Sequence, residues 1–275
     1  MPQRRAMAWS LAALMIAVLV LAAALALRPW FPPVASAHGQ AVQTMLNFTL
    51  LATGIFFVAG HLVLAWLIAR AARRTAEAAG QPSGRAQWLV GLLPAFAMAV
   101  VAEGGVLVLA LPVWANYYGP PPSDAVRVEV VGRQFFWVVR YPGPDGQFGR
   151  TAPTLINTDN LLGLDGEDRA AADDVVLLNE MQLPKGRPAL VRLRSTDVIH
   201  SFWVPELRVK QNAVPGMGID VWFTPTQVGR YELACNQICG LGHYRMRGLL
   251  GVSEEAEFER WLAEQAPAKV SEASR

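Results

Sequence analysis

Three long apolar runs constrain this chain more than any other feature in it. Residues 6–27 are apolar apart from Ser10. Residues 45–69 add only Asn47, His61 and a few threonines, and residues 88–114 only Glu103. A helix needs roughly 20 residues to cross a hydrocarbon core about 30 Å thick, so each run predicts a membrane-spanning helix. They also account for a composition of 53% hydrophobic and 17% charged residues, which is too apolar for an ordinary soluble protein.

Arginine placement sets the direction. Arg4 and Arg5 precede the first run, and Arg70, Arg73, Arg74 and Arg85 lie between the second and third. Residues 28–44 have Arg28 alone. The positive-inside rule puts the N-terminus and the 70–87 loop in the cytoplasm and residues 115–275 outside. A second reading takes the first run as a signal peptide, with Ala35-Ser36-Ala37 as an A-x-A cleavage site. Its apolar core is long for that purpose, and both readings leave the C-terminal part outside. Glu103 sits at membrane depth, where a charge is costly; it points to a proton route, a subunit interface or a satisfied interhelical hydrogen bond. His61 reads as a packing hydrogen bond.

Residues 1–119 form the expected anchor and 120–275 the outer domain. The anchor carries seven arginines against Glu77 and Glu103, a net of +5. The remainder carries 17 basic against 20 acidic residues, a net of −3, and the whole chain +2. No nucleic-acid signal exists in that balance, and the outer part could attract a basic partner. Past GPPPSD (119–124) the period changes to two: Val126, Val128 and Val130 alternate with Arg127, Glu129 and Val131. Further β-rich runs follow at 134–141, 175–178, 189–194, 198–204, 219–224, 230–234 and 248–252, divided by YPGPDG, LPKGRP and VPGMG. Short strands with turn signals predict an antiparallel sandwich. A last helix is expected over 254–265, capped by Ser253, with Phe258 and Trp261 on one face. Residues 155–180 hold Asp159, Asp165, Glu167, Asp168, Asp173, Asp174 and Glu180 against Arg169 alone. That stretch reads as a solvated loop, serving solubility or docking of a basic protein.

Both cysteines fall within CNQICGLGHYRM (235–246), together with His243 and Met246. Outside the cytoplasm a Cys235–Cys239 disulfide is one reading, but it leaves His243 and Met246 unexplained. Zinc would accept two Cys and two His, though Met is a poor zinc ligand. Thiolate, imidazole and thioether together suit copper electron transfer. Of the four histidines, His38 lies near the membrane and His61 within it, so His200, in DVIHSFWVP, is the candidate second imidazole. A mononuclear blue-copper site uses one Cys. Two thiolates suit a pair of copper ions bridged by both sulfurs.

DVIHSFWVPELRVKQNAVPGM followed by CNQICGLGHYRMRG, with GRQFFWVVRYPGPDG upstream, resembles subunit II of the cytochrome c oxidases of the haem-copper oxidase family. The three-span N-terminus is similar to a bacterial branch of it. The resemblance implies membrane helices followed by an all-β cupredoxin-like sandwich with a C-terminal helix. It implies a dinuclear copper A centre held by His200, Cys235, the Gln237 carbonyl, Cys239, His243 and Met246. It also implies subunit I and the other oxidase subunits as partners, cytochrome c as donor, and a bacterial inner (plasma) membrane location with the copper domain on the periplasmic side. Quinol-oxidising relatives lack these ligands, and no C-x-x-C-H haem attachment motif is present.

Two positions depart from the family pattern. Gln237 stands where the family has a Glu that also reaches a magnesium ion at the subunit I interface, and an amide is the weaker magnesium ligand. Phe135 stands where the family has the Trp through which electrons enter, while Trp137 matches the second Trp of that motif. The expectation is therefore an electron-transfer subunit of a respiratory terminal oxidase, with no oxygen site of its own. The alternatives are the copper subunit of a nitric oxide reductase and a membrane-anchored copper carrier.

Overall fold

The computed structural model describes residues 2–73 and 84–268, so the loop expected at 70–87 lies mostly outside the described residues. Helices α1 (Pro2–Ala26), α2 (Ala37–Arg73), α3 (Gly84–Met98) and α4 (Gly104–Tyr117) come first, followed by ten strands and the short helix α5 (Glu255–Ala263). The chain divides into two compact units. Met1–Trp30 with Gln43–Pro112 form one; Phe31–Val42 with Val113–Arg275 form the other.

Three apolar stretches are long enough to cross a membrane: Arg5–Ala26, Ala37–Arg73 and Gly91–Tyr117. The second begins eight residues before the apolar run at 45–69, because Ser36 starts the helix early. Its Oγ accepts the Gly39 N–H at 2.9 Å, an N-cap bond. The third span is interrupted by a π-helical turn at Ala99–Glu103, where the Gly104 N–H reaches back to the Ala99 carbonyl. Gly105 lies against Phe48 of α2 so closely that a Cβ there would fall 2.2 Å from the ring. Small residues allow such close approach between membrane helices.

The second unit is a sandwich of two five-stranded sheets. One runs β3-β2-β1-β5-β8 and the other β4-β10-β9-β6-β7. The first contains β1 (Val126–Arg133), β2 (Phe136–Tyr141), β3 (Val175–Leu178), β5 (Ala189–Ser195) and β8 (Ile219–Phe223). The second contains β4 (Glu180–Pro184), β6 (His200–Val204), β7 (Val209–Ala213), β9 (Gly229–Cys235) and β10 (Arg247–Ser253). Alternating side chains of both sheets meet in one core that includes Val128, Val130, Trp137, Val191, Phe202 and Leu233. The sandwich is mixed rather than antiparallel: β1 pairs with β5 in parallel, and so does β10 with β4. Period-two patterning marks a half-buried strand but carries no signal for the direction of its partner. Strands β4 and β7 lie outside the expected runs, since EMQLP and VKQNA are short and polar-rich.

Ser253 does not cap α5. It belongs to β10, where its carbonyl accepts the Lys185 N–H, and Glu254 takes the N-cap position without a side-chain cap. Phe258 is buried, and Trp261 stacks edge-on against Tyr141 at 5.7 Å.

The acidic stretch is a loop excursion that is only partly solvated. It folds over the outer face of the first sheet and forms a second small core from Leu162, Leu164 and Ala171 against Val131 and Val138. Asp165, Asp168 and Asp174 are engaged within the domain, while Asp159 and Glu167 are exposed. Asp174, fully buried, pairs with Arg140, which also holds Glu129 at 3.1 Å and the Gly149 carbonyl. Asp165 and Asp168 face Arg150. Burial pushes the Asp174 carboxyl up, and the hydrogen bonds from Arg140 and Gly149 oppose that rise. Charge counting missed the apolar residues interleaved with the acids.

Residues 32–37 are stitched to the same unit. Ser36 Oγ donates to the Leu207 carbonyl at 2.6 Å, the Ala35 N–H to that of Glu206, and Arg208 to that of Pro32. Removing one partner of a buried ion pair costs about 3–5 kcal/mol. Arg140→Ala should therefore cost about that much, whereas Arg192→Ala, which breaks the exposed Asp220 pair, should cost at most about 1 kcal/mol. Urea unfolding of the detergent-solubilised chain, followed by tryptophan fluorescence, checks this; equal losses would refute the buried network.

Candidate metal centre

The strand pairing of the second sheet assembles the site. Strand β6 begins at His200 and pairs with β9 so that Phe202 stands opposite Cys235. This brings together two residues 35 apart in sequence, with His200 Nδ1 3.9 Å from Cys235 Sγ. Strands β9 and β10 pair antiparallel, and the Cys235 N–H bonds the Met246 carbonyl at 3.1 Å. The ligand loop is thus closed at its base like a long hairpin.

Inside that loop the two sulfurs lie 3.9 Å apart. That is far beyond the ~2.05 Å of a disulfide, and both cysteines are free thiols. It is close enough for one ion, at a metal–thiolate distance of about 2.3 Å, to touch both. Cys239 Sγ lies 3.6 Å from His243 Nδ1 and 3.8 Å from Met246 Sδ; Cys235 Sγ lies 3.2 Å from the Gln237 carbonyl oxygen. Among the described residues, His200, Cys235 and Cys239 are the group placed to share a metal ion, with ligand atoms all within 4.8 Å. The donor set fits copper on its chemistry: two thiolates, two imidazoles and a thioether converge with both thiols and His200 buried.

Each imidazole turns Nδ1 toward a sulfur. At His200 the other nitrogen, Nε2, lies 2.8 Å from Asp197 Oδ1, so the Nε2–H donates there and the ring is held with Nδ1 facing Cys235. Burial pushes both thiols up. At Cys235 the bonds to His200 and the nearby backbone outweigh burial and draw it down to about 6. Burial and the neighbouring Cys235 charge push Cys239 up to about 11. Burial depresses His200, but the bonds to Cys235 and Asp197 prevail and raise it.

The remaining predicted residues fall around this cluster. Gln237 is exposed, and its main-chain carbonyl is what faces the sulfur. Trp137 is wholly buried, with its ring 6.0 Å from that of His200. Phe135 is half-buried beneath the turn at Gly240-Leu241-Gly242. Glu103 lies in the other unit, exposed on the π turn. Sequence reasoning missed Asp197 and Gln134. The DVIH run carries Asp197 three residues before His200, a spacing that could have marked it. Nothing in the spacing signals Gln134, whose Nε2 donates to the Cys239 carbonyl at 2.5 Å.

The family model for the periplasmic domain of cytochrome c oxidase subunit II matches residues 126–251. The alternative cytochrome c oxidase subunit 2 of Bradyrhizobium diazoefficiens is 34% identical over 239 residues, covering 86% of this chain and 84% of that one. The chain belongs to the cytochrome c oxidase subunit II family. Subunit 2 of Cereibacter sphaeroides is 31% identical over 166 residues, 57% of this chain and 54% of that one. Among solved structures, the periplasmic domain of subunit II of the Bradyrhizobium japonicum oxidase is 28% identical, with a TM-score of 0.39, covering 53% of this chain and 96% of that one. Membership makes the chain an electron-transfer subunit of an oxidoreductase complex, a terminal oxidase, anchored in a membrane with its sandwich domain outside.

The loop glycines of this subunit II chain have a steric role. Gly240 has φ +135°, a conformation that L side chains rarely adopt, and a Cβ on Gly242 would fall 2.4 Å from the Phe135 ring. Gly242→Ala should lower domain stability by about 1–3 kcal/mol through overpacking, and by clearly less in a Phe135→Ala background. Thermal melts of the four chains in the double-mutant cycle measure this; additive losses would show that the two residues do not touch.

Proposed function

We propose that His200, Cys235, the Gln237 carbonyl, Cys239, His243 and Met246 hold a dinuclear copper A centre. In this reading the chain accepts electrons from cytochrome c or a similar carrier and delivers them to haem in subunit I, where oxygen is reduced to water. The observation that carries it is the pair of sulfurs 3.9 Å apart, each with an imidazole nitrogen within 3.9 Å. Bound copper supplies a one-electron relay. The chain's residues supply the rest: buried cysteine sulfurs, a His200 imidazole oriented by Asp197, and a loop closed at its base by strand pairing.

Phe135, half-exposed against the ligand loop, is the proposed contact through which electrons enter. Trp137 backs the site from the core against His200. Glu103, exposed within a span, is proposed to face another oxidase subunit, because a carboxylate in lipid is costly. The membrane is proposed to be the bacterial inner membrane. Magnesium is left out of this proposal, since Gln237 offers only an amide.

The test is copper loading of the detergent-solubilised full chain, with metal analysis and low-temperature EPR together. Two coppers per chain and a seven-line mixed-valence signal are expected, because one electron then couples to two copper nuclei. Cys239→Ser should retain no more than one copper and lose the seven lines. A wild-type chain with one copper and a four-line signal, or with none, overturns the dinuclear reading.

A further inference from the structure

The two-residue connection between β1 and β2 contributes no ligand, yet it touches both segments that do. The Gln134 main-chain N–H donates to Asp197 Oδ2 at 2.7 Å, and Asp197 Oδ1 faces His200 Nε2 at 2.8 Å. The Gln134 side chain runs the other way, and its Nε2 donates to the Cys239 carbonyl at 2.5 Å. Asp197 is itself fixed by the Val198 N–H, which donates to Oδ1 at 2.7 Å. Beside Gln134, the Phe135 ring fills the hollow under Gly240 and Gly242, between Cys239 and His243.

We propose that Gln134 and Asp197 are positioning residues. They form a brace that locks the His200 strand to the Cys239 loop, so that the donors hold their arrangement with or without metal. It deepens the copper reading and rests on it for the metal-dependent half of the test. The chemistry demands both arms. His200 needs an acceptor on Nε2 to keep its Nδ1 lone pair toward the sulfurs. The Cys239 carbonyl sits in a turn built around two glycines, with little backbone restraint of its own, and a side-chain donor from another element supplies that restraint.

The brace makes a prediction that packing alone does not. Gln134→Glu keeps the shape but replaces the N–H donor with an acceptor opposite a carbonyl. If Gln134 only fills space, the Glu variant behaves as wild type. If it braces, Gln134→Glu and Gln134→Ala fail alike. Asp197→Asn has one acceptor oxygen for the Gln134, Val198, His200 and Ser195 donors, so it loses an arm as well.

The experiment uses the full chain in detergent with two readouts. In the copper-free chain, the rate at which Cys239 reacts with a thiol-alkylating reagent reports loop opening. It should rise roughly two- to tenfold in Gln134→Ala and Gln134→Glu, the range that loss of one hydrogen bond allows. In the copper-loaded chain, Gln134→Ala, Gln134→Glu and Asp197→Asn should release copper to a chelator with roughly 10- to 100-fold weaker retention and altered hyperfine splitting. An unchanged alkylation rate in both Gln134 variants, or a Glu variant matching wild type in either readout, overturns the brace. A wild-type chain that takes up no copper removes the copper reading but leaves the alkylation result to decide the brace.

Discussion

The register between β6 and β9, with Phe202 opposite Cys235, is the constraint on which the site depends. A shift of one residue would turn every side chain of β6 to the other face and send His200 away from the sulfurs. What holds the register is the apolar core under those strands. Phe202 and Leu233 are fully buried in it, and Trp137 packs edge-on to both His200 and Phe202. Gly132 of β1 lies beneath the imidazole, where a Cβ would come within 2.7 Å of the ring. The residues that look like core and those that hold the metal donors are therefore one packed object, and a defect in the first appears in the second.

The parts of the fold that announced themselves in sequence are those whose signal is local. The membrane spans are long apolar runs, and β1 alternates apolar and charged residues from Val126 to Val130. The ligand loop could be read because its donors sit at fixed short intervals, and His200 by elimination among four histidines. The parts that stayed hidden depend on partners distant in sequence. The parallel β1–β5 and β4–β10 pairs are set by how the chain crosses between sheets. Asp174 looks like one more acid in a charged stretch until Arg140, 34 residues away, meets it inside the domain. Ser253 has the chemistry of a cap, but the ladder with β4 claims its backbone first.

Arg140 shows how a charged residue becomes interior. It lies on the face of β2 opposite the main core, where the excursion after β2 folds back. Its guanidinium reaches Glu129 on the neighbouring strand and Asp174 just before β3, as well as the Gly149 carbonyl between them. A planar fork with five donors can serve three acceptors at once, which an ammonium could not do in the same plane. The excursion is thereby anchored over the sheet. Asp174, Asp165 and Asp168 are engaged in pairing within it, and only part of the acidic stretch remains to face a partner.

A centre that exchanges single electrons works best when its surroundings move little as the charge changes, and the sources of rigidity can be named here. His200 is on a strand, and Cys235 and Met246 flank the base of a hairpin whose main-chain bond joins them directly. Cys239 and His243 are the donors farthest from that base, at a turn where two glycines remove the usual side-chain restraint. Gln134 and Phe135 press on the loop at that point, one through a hydrogen bond and one through van der Waals contact. The ring at 135 lies against backbone at Gly240 and Gly242, and the neighbouring Gln134 supplies a hydrogen bond to the same loop. Packing against the loop and hydrogen-bonded support of it thus fall on adjacent residues of one connection.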